Sequence, residues 1–240
     1  FEYDSTYART KVKVKNIRNV AGETEEEFWL GGGYYLCKAG PSGNPNDSCT
    51  KVTSPTLDMC HGWNPGASCL TYANGTWKLE GLSLPPGILW FKGNLGFHQG
   101  NGEINSTILA TGNVTFLQGQ IRISAVNYGG YNAICNPTGI YSDQIPSNLC
   151  NASEYVPINV GNIGIAAGGY DVSGYSGGDI NLGQNNIVYG SVLAGGYLTT
   201  DGQTVVNGYV TAAVQGDKRS DEIKKNDLRG NTTIDLTRGN

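Results

Sequence analysis

The sequence predicts an all-β chain whose larger part is a β-solenoid, preceded by a smaller disulfide-rich region of strands and loops. Three observations carry that expectation. Gly, at 36 of 240 residues, is about twice its ordinary share, and Tyr (14) far outnumbers Phe (5), a mixture that suits turns and half-exposed strands. From Ile104 onward, short apolar strings are interrupted by Gly, Asn or Asp every few residues, without a helical period between them. Finally, the chain repeats itself. The string VYGSVLA, starting at Val188, aligns with VNGYVTA, starting at Val206, and INSTILA, starting at Ile104, is an earlier copy.

The offset between the two later copies holds beyond them, setting Ile180 on Leu198 and Leu182 on Thr200. A period near twenty made only of short strands is the pattern of coils stacked one on the next. Val188, Val192 and Ala194 would then lie on Val206, Val210 and Ala212 in a narrow core. Gly190 and Gly208 would mark corners, where a residue without Cβ turns at little cost. A sandwich of antiparallel hairpins also shows closely spaced strands, but few Asn-Gly turns join these at the two-residue spacing hairpins favour.

Residues 1–76 form the first of two regions. Val12 and Val14, with Tyr7 and Ile17 at the flanks, alternate with Lys11, Lys13 and Lys15, the mark of a strand with one apolar and one charged face. The acidic run Glu23–Glu27 lacks the alternating oxygen ligands of a calcium loop and reads as a solvated turn. Residues 31–76 are loop-rich and need cross-links to hold a shape. Residues 77–240 form the second region, opening on strands around Leu79, Leu82, Leu84 and Trp90. Between Gln120 and Val160 the repeat register is lost, and residues 128–160 read as a loop leaving the stack, pinned by a disulfide. After the charged stretch GDKRSDEIKKNDLRG, the last strand, TTIDLT, is expected to close the stack.

The 6 cysteines fall into three sequential pairs around short polar loops, which predicts Cys37–Cys49, Cys60–Cys69 and Cys135–Cys150. Other connectivities stay open. An even count with this clustering implies secretion into an oxidising, extracellular space. Zinc needs closely spaced ligand pairs, and the chain has no CxxC. Asn46, Asn74, Asn105, Asn113, Asn151 and Asn231 head Asn-x-Ser/Thr sequons and are candidate glycosylation acceptors.

A net charge of −4 without a cationic cluster argues against nucleic acid as a partner. No apolar run is long enough to span a bilayer. No cofactor motif occurs: the glycines never fall into a phosphate loop or dinucleotide fingerprint. Neither His61 nor His98 lies in a nucleophile turn. Stacked coils could carry paired carboxylates for glycoside chemistry, but the repeat offset lands Asp179 on Tyr197, not on a second acid. No catalytic residue is assigned, and the chain is expected not to be an enzyme. Glu103 and Asp179 are the candidate acids of the alternative, a carbohydrate-active or carbohydrate-binding β-helix protein. The tyrosines from Tyr128 to Tyr209 give broad contact area with a polar tip, suited to protein or glycan partners.

The strings GNLGF, NSTILATGNVTF, YGSVLAGGYLTT, VVNGYVTAAVQG and GNTTIDLT resemble the β-helical C-terminal domain of PilX-like pilus assembly proteins, minor-pilin relatives of type IV pilus systems. The resemblance covers residues 77–240. It implies an extracytoplasmic, non-enzymatic subunit that primes, caps or decorates a fibre, or makes it adhesive. Pilins carry a hydrophobic helix ahead of the globular part, whereas Phe1 here opens into polar sequence. Either such a helix precedes Phe1, or neighbours join by strand addition, with Tyr7, Val12, Val14 and Ile17 as the assembly strand. The expected partners are copies of the chain or related filament subunits, and surface glycans.

Overall fold

The computed structural model describes the backbone of residues 2–4, 11–15, 25–31, 35–38 and 57–58, and residues 70–79, 84–98, 101–117, 119–137, 146, 148–151, 153–171, 174–213 and 226–238. Among these the chain is all-β, with sheets of ten, seven and five strands, a two-stranded ribbon and one helix of nine residues. No helix among the described residues is long and apolar enough to cross a membrane.

From Gly87 onward the chain visits the three large sheets in a fixed order. The first face receives Gly87–Phe91, Ser106–Ala110, Ile163–Ala167, Ser191–Ala194 and Val210–Ala212. The second receives Asn94–Phe97, Val114–Phe116, Ile180–Asn181, Leu198–Thr200 and Asp227–Leu228. The third receives Asn101–Ile104, Gln120–Ser124, Ile187–Tyr189, Val205–Asn207 and Thr233–Asp235. All pairing between successive passes is parallel, which the antiparallel hairpins of a sandwich would not give.

Side-chain alternation turns this pairing into a core. Every second residue of a strand points inward, so registered positions form apolar columns. On the third face Ile104, Ile123, Val188, Val206 and Ile234 share a column. On the first face Leu89, Ile108, Ile165, Val192 and Val210 share one, and Phe91 heads another of Ala110, Ala167, Ala194 and Ala212. The residues aligned by the eighteen-residue offset are therefore direct partners: Ile180 with Leu198, Val188 with Val206, Val192 with Val210. The copy at Ile104 occupies the same columns, with one further pass between. Aromatic bulk collects at one end, where Phe97 and Phe116 stack at 4.3 Å and Trp77 meets Phe91 edge-on.

Gly190 and Gly208 lie at the bend between the third and first faces, at φ +126° and +156°. A Cβ on Gly208 would sit 2.6 Å from the Gly190 carbonyl, so the two bends approach as closely as bare backbone allows.

Two expectations need correction. Gln120–Ser124 is a regular strand in register with both neighbours, so the excursion begins only after it. It runs through the helix Val126–Ile134 and returns through the 3-10 turn Asn159–Asn162. The acidic run does not form a turn throughout: Glu25–Gly31 is a strand whose register sets Glu25 opposite Lys15 and Glu27 opposite Lys13. The last strand, Thr233–Asp235, extends the third face in parallel and is its outermost described strand.

At the opposite end, Glu2–Asp4 adds in parallel to Gly87–Phe91, with Lys11–Lys15, Glu25–Gly31, Tyr35–Lys38 and Leu57–Asp58 following antiparallel. The hairpin of Leu70–Ala73 and Thr76–Leu79 covers the second face there.

Candidate functional site

At the bend between the first and second faces, neighbouring passes are tied by side chains. The Asn113 amide donates to Asn94 Oδ1 (2.8 Å), the Asp179 amide to Asn113 Oδ1 (2.9 Å), and the Tyr197 amide to Asp179 Oδ1 (2.9 Å). Short Asn and Asp side chains reach backbone groups that a strand ladder cannot satisfy where the chain turns. Each of these residues sits in a Gly-x-apolar triplet: Gly93-Asn94-Leu95, Gly112-Asn113-Val114, Gly178-Asp179-Ile180 and Gly196-Tyr197-Leu198. A Cβ on Gly112 would collide with Asn94 Oδ1, and one on Gly196 with Asp179 Oδ1. At Gly112 and Gly196 the glycine is thus the space into which the previous pass inserts its side chain.

Beside this tie, the second face presents an outward column in register: Thr115, Asn181, Thr199 and Asp227. With Asn113, Asp179 and Tyr197 along one edge it forms a groove of about 370 Å³, and all seven side chains are half-exposed. The groove offers hydroxyls, amides, one aromatic ring and two carboxylates. Arg229 pairs with Asp227, its Nε donating to Oδ2 at 2.6 Å. Residues spaced one rung apart repeat at about 4.8 Å, the distance between neighbouring strands. The motif was legible as the Gly-x-apolar triplet, but its members are separated by 19, 66 and 18 residues, and no single period finds them.

The two candidate acids are not brought together. Asp179 edges the groove, whereas Glu103 is exposed on the third face, where Ser124 Oγ donates to its carboxylate at 3.4 Å. A smaller pocket, lined by Glu103, Asn105, Asn132 and Leu84 among others, lies beside the helix of the excursion.

Of the expected disulfides, Cys135–Cys150 is formed, with Cα atoms 5.4 Å apart. Cys37 lies in the strand Tyr35–Lys38, while Cys49, Cys60 and Cys69 lie outside the described residues, so the other two pairings do too. The bridge anchors a second apolar cluster of Val126, Ile134, Cys135 and Leu149. Inside the excursion, Tyr155 donates to Asn127 Oδ1 at 2.5 Å, and burial pushes its hydroxyl pKa up to about 12.

The assembly strand is placed within the chain's own sheet: Val12 pairs with Tyr3 on one side and Phe28 on the other, and Val14 with Glu26. Tyr7 and Ile17 lie outside the described residues. Among the sequons, Asn74, Asn151 and Asn231 are exposed, with Asn74 in a tight turn at φ +50°. Asn151 donates to Glu154, Asn113 is held in the tie described above, Asn105 is half-buried, and Asn46 lies outside the described residues. Comparison with family models, curated proteins and solved structures finds no match to this chain.

Proposed function

We propose that the three-faced stack is a β-solenoid and that the chain is a non-enzymatic structural or adhesive subunit of an extracellular surface filament. The observation that carries this reading is the asymmetry of the stack's ends. At one end, added strands cover the first and second faces. At the other, Val210–Ala212, Asp227–Leu228 and Thr233–Asp235 are the outermost described strands of all three faces. Leu228, Ile234 and Leu236 are exposed there, at 48%, 38% and 53%. Parallel strands that are outermost among the described residues, beside exposed apolar side chains, are a template for strand addition. The strand Lys11–Lys15 is a weaker joining element, because donating it to a neighbour would first break its own pairing. The disulfide supports an oxidising compartment.

Sedimentation velocity over a range of concentrations tests this reading. The native chain should associate as concentration rises, and Ile234→Asp with Leu236→Asp should stay monomeric. A native chain that is monomeric at the highest concentration reached, with its N-terminal strands intact, overturns assembly through this end. The alternative, a carbohydrate-binding protein, is favoured by the polar groove of the second face and is compatible with an adhesive subunit.

A further inference from the structure

We infer that the groove of the second face binds an uncharged, extended β-1,4-linked polysaccharide lying along the stack axis, about one sugar unit to each rung. The inference rests on the carbohydrate-binding reading and specifies its ligand and orientation. Three features of the groove point this way. Its lining offers hydroxyl, amide and carboxylate groups whose donors and acceptors match sugar hydroxyls, and the Tyr197 ring supplies an apolar surface at the edge. The polar groups repeat in register from Thr115 through Asn181 and Thr199 to Asp227, at right angles to the strands. A ligand that repeats along its own length can meet that column only by running parallel to the axis.

Dimension and charge narrow the class. Four rungs at about 4.8 Å span roughly 14 Å, a length of three to four pyranose units in a fully extended chain. An α-1,4-linked glucan coils and leaves the column after a unit or two. None of the described lining residues is cationic, and Arg229 beside them is paired with Asp227, so a polyuronate finds no counter-ion there. One carboxylate oxygen of Asp179 is held by the Tyr197 amide and one of Asp227 by Arg229, so both acids are fixed in position.

The experiment is isothermal titration of the whole chain with the di-, tetra- and hexasaccharides of β-1,4-linked glucose and of β-1,4-linked N-acetylglucosamine. Maltohexaose and tetragalacturonate serve as the coiled and the anionic controls. Affinity should rise from disaccharide to tetrasaccharide and flatten by the hexasaccharide, and neither control should bind comparably. Thr115→Val and Thr199→Val, both outward-facing, should each weaken tetrasaccharide binding about tenfold while the circular dichroism spectrum stays native. Binding that ignores oligomer length, or that survives Thr199→Val unchanged, overturns the axial groove and leaves carbohydrate binding elsewhere on the surface. If no β-linked oligomer binds the natively folded chain, the inference and the carbohydrate reading both fall.

Discussion

Residues 163–212 and residues 126–162 are held by different means, although they are joined end to end. In the first segment, the ribbon of Gly169–Asp171 and Gly174–Ser176 aside, inward side chains of the strands rest on equivalent ones from the neighbouring pass, as Val188 rests on Val206 and Ala194 on Ala212. Order there is propagated: each pass is the template for the next. The second segment has no such neighbour. It is held by one disulfide, the small cluster around Val126, Ile134 and Leu149, and the polar contacts of Asn127, which meets Ile158, Asn162 and Tyr155. A repeated ladder distributes its stability over many positions, whereas an insertion concentrates it in a few.

The largest expected effect lies in the ladder. Phe97→Ala removes one ring of the Phe97–Phe116 stack from a fully buried site and should cost about 3–5 kcal/mol. Chemical denaturation should show a lower midpoint for the entire stack, since the passes share their interfaces. If only residues near Phe97 lose protection, the propagated picture is wrong.

In the insertion, replacing both Cys135 and Cys150 by Ala opens a loop closed over 15 residues, at a cost of about 3 kcal/mol by chain entropy. Hydrogen exchange should quicken across the excursion and stay slow in Ser191–Ala194. Equal quickening in both would erase the contrast.

The seam between the regions gives a smaller effect of opposite sign. Thr107 points away from the core by alternation, yet it is fully buried, because the excursion packs against its strand. Its hydroxyl has no hydrogen-bond partner among the described residues, and a buried unpaired hydroxyl costs free energy. Thr107→Val keeps the shape and should stabilise the seam by about 1 kcal/mol, read as a raised denaturation midpoint.

The gentlest probe is pH. Below pH 10 the Tyr155 hydroxyl is protonated whether or not the excursion is folded. Between 10 and about 12 the unfolded segment ionises while the folded one keeps its proton, so stability falls as pH rises through that window. In Tyr155→Phe this loss, followed by hydrogen exchange within the excursion, should shrink to the part contributed by Tyr128, whose pKa burial also raises.

The sequence made the ladder legible because Val188 and Val206 stand in consecutive passes, where contact in space equals a fixed distance along the chain. The pass through Ile163–Ala167 was hidden, since the excursion separates it from Gln120–Ser124 and no offset bridges that gap. The strand Glu25–Gly31 was misread for another reason. Its acidic composition reads as a solvated turn, and a single strand's composition cannot supply the backbone partner, Lys11–Lys15, that makes it a strand. The groove was invisible as a unit, because Thr115, Asn181, Thr199 and Asp227 are unremarkable polar residues until stacking aligns them.

The pairing of Asn94 with Gly112 and of Asp179 with Gly196 has a consequence for which substitutions these bends accept. Because each side chain fills the space that a glycine in the next pass leaves empty, plug and socket are one unit written in two places along the chain, and neither residue can be enlarged without the other giving way.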